Sequence, residues 1–312
     1  MNEFAIETQN LTKEFPHVIA VKNLNLKVRK GEVFALVGPD GAGKSTTIRL
    51  LATLLLPSRG GATVCGYDVV SQAERVRPLI GYMSQRFNLY LDLTVLENLN
   101  FSAGIYQVQK KAREDKIPEL LSFARLAEFG NRRAEHLSGG MKQKLALSCT
   151  LIHEPEILFL DEPTKGVDPL SRRDLWGILS RLHARGVTIF MTTPYMDEAE
   201  KCSSVAFMDR GEIILTGTPK EIKDALPGEI LEIDAQPLRQ ARRWLRNQEW
   251  IEEVEVYGEL LQVTLRDVQR MKDKIGEGLE AGGVRVRGVR KIRPSMESAF
   301  VHLMKSRKGK LT

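Results

Sequence analysis

Residues Gly38-Pro39-Asp40-Gly41-Ala42-Gly43-Lys44-Ser45, followed by Thr46, carry the spacing G-x-x-x-x-G-K-[ST]. Glycines in such a run let backbone N–H groups turn inward around phosphate oxygens. The helix that opens after them adds partial positive charge at its N-terminus. Lys44 can reach the outer phosphates of a nucleoside triphosphate, and the Ser45 hydroxyl can ligate Mg²⁺. A second cluster, Asp161-Glu162 in "ILFLDEP", puts two adjacent carboxylates at the end of an apolar run. Alone, such a pair reads as polar loop. Behind a phosphate loop, Asp161 becomes the residue that holds Mg²⁺, directly or through water. Glu162 becomes the one that orients and deprotonates an attacking water. The chemistry expected is transfer of a phosphoryl group from ATP to water.

That chemistry needs elements that bring the two motifs together. "EVFALV", Glu32 to Val37, predicts a short buried strand entering the glycine-rich turn, and "STTIRLLATLL" has helical spacing. "EILFLDEP" and "GVTIFMTT" predict two more buried strands, and "SVAFMDRGEII" a strand, a turn and a strand. Short apolar strands alternating with helices imply a parallel sheet covered on both faces. Leu91 to Leu151 is mostly helical in pattern, an inserted helical subdomain.

From about residue 226 the rhythm changes. "ILEIDA" alternates as a strand does, and "PLRQARRWLRN" has helical spacing behind a proline. "EEVEVYGELLQVTLR" reads as a hairpin turning at Gly258. "DVQRMKDKIGEGLEAGG" opens on aspartate and closes on glycines, as helices do. "VRVRGVRKIR" predicts a last strand whose arginines face water, and "PSMESAFVHLMK" a last helix. The order β-α-β-β-α-β plus a helix is that of a small ferredoxin-like domain.

Composition sets outer limits. The 312 residues suit about two domains, with 42% apolar residues for cores and 28% charged residues for a solvated surface. No apolar run reaches the length of a membrane span, and the start "MNEFAIETQN" lacks the order of a secretory signal. Cys65, Cys149 and Cys202 are odd in number and far apart, which argues for reduced thiols and against a disulfide framework. The net charge of +6 fits a solvated basic surface as well as attraction to an anionic membrane face or a nucleic acid. Against nucleic acid, the basic strand near the C-terminus has no interleaved aromatics.

"LSGGMKQK", Leu137-Ser138-Gly139-Gly140-Met141 onward, precedes Asp161 and is the motif that points to a family. With it, residues 1 to about 225 resemble the ATP-binding cassette (ABC) ATPases, the nucleotide-binding subunits of ABC transporters. The resemblance implies a P-loop α/β cassette over 1–225, with its helical subdomain at about 91–151. The small ferredoxin-like α/β domain then occupies 226–312.

Further roles follow from the same resemblance. Ser138, Gly139 and Gly140 would cap the γ-phosphate held by a second cassette, so each ATP lies between two subunits. Phe15 sits where an aromatic stacks on adenine. Gln85 matches the glutamine bridging Mg²⁺ to the transmembrane partner, with Arg86 to Tyr90 lining the groove for a coupling helix. Asp168 matches the loop that crosses between subunits. Met141 and Lys144 stand where Gln and Arg are frequent.

One position departs from the pattern. Pro194, in "MTTPYMDEAE", stands where relatives carry a histidine that contacts the γ-phosphate. ATP binding should survive this change, while turnover at this chain's own phosphate loop should be weak. An asymmetric pair follows, in which a second cassette keeps its histidine and performs most of the hydrolysis. The alternative is an ordinary homodimer. "PSMESAFVHL" resembles the closing segment of ABC-2-type export ATPases. That implies separate permease subunits, Mg²⁺ and ATP as cofactors, and a cytoplasmic protein peripheral on the inner face of the membrane. A soluble ABC protein acting on ribosomes or nucleic acid would more often carry two cassettes or a long coiled coil, and this sequence shows neither.

Overall fold

The computed structural model describes residues 3–308, apart from 87, 226–227 and 266–267. Phe87 of the expected docking groove, Leu226 at the expected domain start, Asp267 at an expected helix start and the tail beyond 308 therefore lie outside the described residues. The chain divides into two compact units, Met1–Pro219 and Lys220–Thr312.

The first unit is organised around a six-stranded sheet. Its order is Glu212–Gly217, Ser204–Asp209, Val33–Val37, Thr188–Thr193, Ile157–Asp161 and Ile80–Met83. All neighbours are parallel except Glu212–Gly217, which turns back along Ser204–Asp209. "VFALV", "ILFLD" and "TIFMTT" are buried at every residue, as strands covered on both faces must be. Phe34, Phe159 and Phe190 pack across three of these strands, with centroids 5.2 and 5.8 Å apart. Asp161, Thr192 and Thr193 bring polar groups in at the carboxyl ends, where chemistry is expected, while Thr188 opens its strand at the other end and accepts from the Gly31 N–H. A second, antiparallel sheet of Val18–Arg29, Phe4–Phe15, Arg59–Val64 and Tyr67–Asp68 shares the same core.

The segment expected to be helical contains helices Val95–Ile105, Lys110–Ala124 and Gly139–Leu151. The first is capped reciprocally: Thr94 accepts from the Glu97 N–H, and Glu97 accepts from the Thr94 N–H. Val95, Leu99, Leu121, Leu126, Leu145 and Ile152 share a core of their own.

The second unit has a four-stranded antiparallel sheet in the order Ile251–Tyr257, Leu260–Leu265, Glu229–Gln236, Arg285–Ile292. This is the arrangement of a ferredoxin-like domain. Helices Leu238–Arg246 and Val268–Ala281 close its core around Leu231, Ile233, Leu245, Leu261, Val263 and Leu279. Arg285, Arg287 and Arg290 of the last strand are exposed. Among the described residues, no helix is long and apolar enough to cross a membrane.

Candidate active site

Three loops leave the parallel sheet at one edge. Val37 pairs with Thr193, and Asp161 with Thr192, so Gly38, Glu162 and Pro194 all follow directly on neighbouring strand ends. The crevice outside the carboxyl ends of parallel strands is where such sheets bind ligands.

The phosphate loop is shaped for an anion. Helix Lys44–Leu51 starts without a side-chain cap, so its first N–H groups stay open to a ligand. Gly43, before it, has φ 107°, and a Cβ there would lie 2.1 Å from the Ala20 carbonyl oxygen. Only glycine lets the Val18–Arg29 strand come so close to the loop. Lys44 is 4% exposed, and its ammonium donates to the Gly38 and Pro39 carbonyls at 2.8 and 3.0 Å. Pro39, Asp40 and Gly41 are exposed, Ala42 is buried, and Thr46 is half-buried.

Asp161 is fully buried. Its Oδ1 accepts from the hydroxyls of Ser45 at 2.8 Å and Thr192 at 2.7 Å, while Oδ2 has no hydrogen-bond partner among the described residues. An orphaned carboxylate oxygen beside a serine hydroxyl is an oxygen-only donor set, which suits Mg²⁺ completed by phosphates and water. Glu162 is 4% exposed and sits at φ 48°. Its N–H donates to the carbonyl and hydroxyl oxygens of Thr192, which fixes that left-handed turn. Its carboxylate is held by Gln85 Nε2 at 2.7 Å, Lys165 Nζ at 2.8 Å and Lys44 Nζ at 3.5 Å. Lys44, Ser45, Gln85, Asp161 and Glu162 thus form one connected cluster, joined through Thr192.

A family model described as ABC transporter matches residues 21–165. The chain is 36% identical over 310 residues to the Nod factor export ATP-binding protein I of Bradyrhizobium diazoefficiens, covering 97% of each chain. It is 39% identical to the daunorubicin/doxorubicin resistance ATP-binding protein DrrA of Streptomyces peucetius, over 77% of this chain and 74% of that one. This chain belongs to the ABC transporter ATP-binding family. It is also 44% identical to the probable multidrug ABC transporter ATP-binding protein YbhF of Escherichia coli, over 71% of this chain but only 38% of that longer protein. A solved ATP-binding subunit of an ABC transporter superposes with a TM-score of 0.65 at 31% identity, over 70% of this chain and 92% of that one.

The other ABC motifs lie on separate elements. Ser138 caps helix Gly139–Leu151, its Oγ accepting from the Met141 N–H at 3.3 Å; Leu137 is buried and Gly139 exposed. A Cβ on Gly140 would lie 2.1 Å from Ser171 Oγ, so this glycine is required by the neighbouring helix Pro169–Ala184. Asp168 caps that helix by accepting from the N–H groups of Leu170 and Ser171. Those bonds, Ser171's first, hold its carboxyl below the usual range. The Ser138–Met141 and Asp168 motifs therefore share one packed corner. Among the described residues, the hydrogen bonds of Ser138 and Asp168 stay within this corner and do not reach the Lys44–Glu162 cluster. Phe15 ends its strand 41% exposed beside Val18 and Ile19, with the Lys13 ammonium 5.3 Å from its ring centroid.

Pro194 is half-buried and donates nothing, yet its loop is firmly held. Thr193 Oγ1 donates to Glu198 at 2.6 Å and accepts from the Tyr195 N–H at 3.0 Å. Glu198, fully buried, also faces Trp176 Nε1 at 3.4 Å and Arg172 Nε at 3.2 Å on the Asp168-capped helix. Sequence reasoning missed Thr192, Lys165, Glu198 and Arg172 as parts of the site. Thr192 follows one residue on from a strand core, and Glu198 reads as a surface acid in "DEAE"; only the packing reveals both.

Proposed function

We propose that the chain is the ATP-binding and ATP-hydrolysing subunit of an ABC-2-type exporter, working on separate membrane subunits. The observation that carries the reading is the buried pair Asp161–Glu162, held against Ser45, Lys44 and Gln85 at the mouth of an open helix N-terminus. In this reading the phosphate loop binds the nucleotide's phosphates, and Phe15 offers a face to adenine. Ser45 and Asp161, with Gln85, would hold Mg²⁺, which supplies charge neutralisation on the phosphates. Glu162 takes the proton of the attacking water as its oxygen bonds to the γ-phosphorus. The bond from that phosphorus to the bridging oxygen breaks, and ADP and phosphate leave. The relatives named for Nod factor export and for daunorubicin/doxorubicin resistance support export as the work done. Exposed Tyr90 and Leu91 suit a surface that meets a membrane subunit, and the unit after Pro219 acts as a separate small domain.

Two cassettes would enclose each ATP, the Ser138–Met141 motif and Asp168 serving the partner's nucleotide. A solved ATP-binding cassette is dimeric in a post-hydrolysis state with ADP and phosphate bound; it is 27% identical with a TM-score of 0.63, over 68% of this chain and 98% of that one. Pro194 favours an asymmetric pair. Loss of one donor to developing charge costs about 10²–10³ in rate, so a partner cassette that keeps its histidine would hydrolyse faster. The test is ATP titration and turnover of the purified chain. Lys44→Ala should weaken ATP binding roughly ten- to hundredfold, and Pro194→His should raise turnover. Unchanged binding in the first variant would refute the site, and vigorous turnover indifferent to the second would refute the asymmetry.

A further inference from the structure

The phosphate-facing edge carries a cation that the motifs do not assign. Lys165 follows Thr164 in the loop after Glu162, and its Nζ lies 2.8 Å from Glu162 Oε2 and 3.7 Å from Asp40 Oδ1. It therefore reaches from the strand-end loop across to the phosphate loop. Lys44 Nζ lies 3.5 Å from the other oxygen of the same carboxylate, Glu162 Oε1. Two ammonium groups thus flank one buried carboxylate at the position where an attacking water would be deprotonated.

Their surroundings differ. Lys44 is locked by the carbonyls of Gly38 and Pro39, and its side chain is 3% exposed. The side chain of Lys165 is 40% exposed on a flexible stem and can exchange one anion for another. Its pKa is raised, first by the hydrogen bond to Glu162, with the charges of Glu162 and Asp40 adding to it against some desolvation. Asp161 pairs with Thr192, so the loop that carries Lys165 and the loop that carries Pro194 leave the sheet from neighbouring strands.

We propose that Lys165 contacts the terminal phosphate of ATP at this chain's own phosphate loop and supplies the positive charge that Pro194 cannot. The proposal rests on the ATP-site reading above. A terminal phosphate beside Lys44 presents more charge than the single carboxylate Lys165 holds now. Moving to it leaves Glu162 Oε2 free to accept the water's proton while the γ-phosphorus bond to the bridging oxygen breaks. Lys165 then donates to phosphate oxygens whose charge rises in the transition state. The turnover that the chain retains depends on this lysine. A lysine that only neutralised Glu162 would act in the opposite sense, since its removal would free the base.

The experiment compares the full-length chain with Lys165→Met, Lys165→Arg, Pro194→His and the double variant Lys165→Met/Pro194→His. Binding of Mg·AMP-PNP and of Mg·ADP is titrated separately, and ATP turnover is measured alongside. Lys165→Met should lose about tenfold in AMP-PNP affinity, the low end for one charge-assisted contact, with ADP affinity unchanged. Its turnover should fall about ten- to hundredfold, below the full effect of an oxyanion donor because the lysine is part-exposed. Lys165→Arg should keep most of both. Pro194→His should help the Lys165→Met background far more than the wild type. An unchanged AMP-PNP to ADP ratio in Lys165→Met, a rise in its turnover, or independent effects of the two substitutions would overturn the proposal. Equal AMP-PNP binding by wild type and Lys44→Ala would instead remove the ATP site itself, a distinguishable failure.

Discussion

The two units handle buried polarity in opposite ways. Among the described residues, the buried charged and polar side chains all belong to the first unit, and Lys44, Asp161, Glu162, Thr192, Thr193 and Glu198 gather at one sheet edge. The second unit packs Leu231, Ile233, Leu245, Leu261, Val263 and Leu279 with no buried polar side chain among them. Burying a polar or charged group costs free energy unless it is paired. The first unit meets that cost where three strand ends need fixed donors and acceptors for chemistry. The second needs only a stable body, so apolar packing suffices.

Substitutions can break this contrast. Glu198→Ala should have the largest effect, destabilising the first unit by about 3–5 kcal/mol, because Arg172, Trp176 and Thr193 lose a shared buried partner. Denaturant unfolding measures it, and a loss under about 1 kcal/mol would mean the network is slack. Leu245→Ala, which truncates a fully buried side chain of the second unit, should cost that unit about 2–5 kcal/mol. ATP binding should not change. A matching loss of ATP affinity would show that the two units share energetics. The smallest effect is expected from ending the chain at Pro219, which should leave ATP affinity within about twofold, or roughly 0.4 kcal/mol. A truncated chain that folds but does not bind ATP would assign part of the site to residues beyond 219.

Much of the first unit was legible because its chemistry is written in short contiguous motifs. The glycine spacing before Lys44, the carboxylate pair after "ILFL" and the Ser138–Gly140 helix start each combine a residue type, a spacing and a neighbouring element. The ferredoxin-like order was legible from hydrophobic period alone, since strands and helices alternate cleanly after residue 228. What stayed hidden are contacts between segments far apart in sequence. Thr192 bridges Asp161 and the Glu162 N–H only because two strands pair in one register. Gly140 must be glycine because Ser171 presses on it from another helix. Glu198 stands in an acidic run, and its burial depends on Arg172 and Trp176 approaching from a helix some twenty-five residues earlier. Periodicity carries none of this.

The strand ends at Gly38, Glu162 and Pro194 are expected to bind Mg·ATP, with Glu162 taking the proton of the attacking water. The most direct test is single-turnover hydrolysis of ATP by Glu162→Gln, with binding measured in parallel. ATP affinity should stay within a fewfold of wild type, and the rate should fall by about 10²–10⁴, the contribution of a positioned general base. Hydrolysis by Glu162→Gln at the wild-type rate would contradict this role.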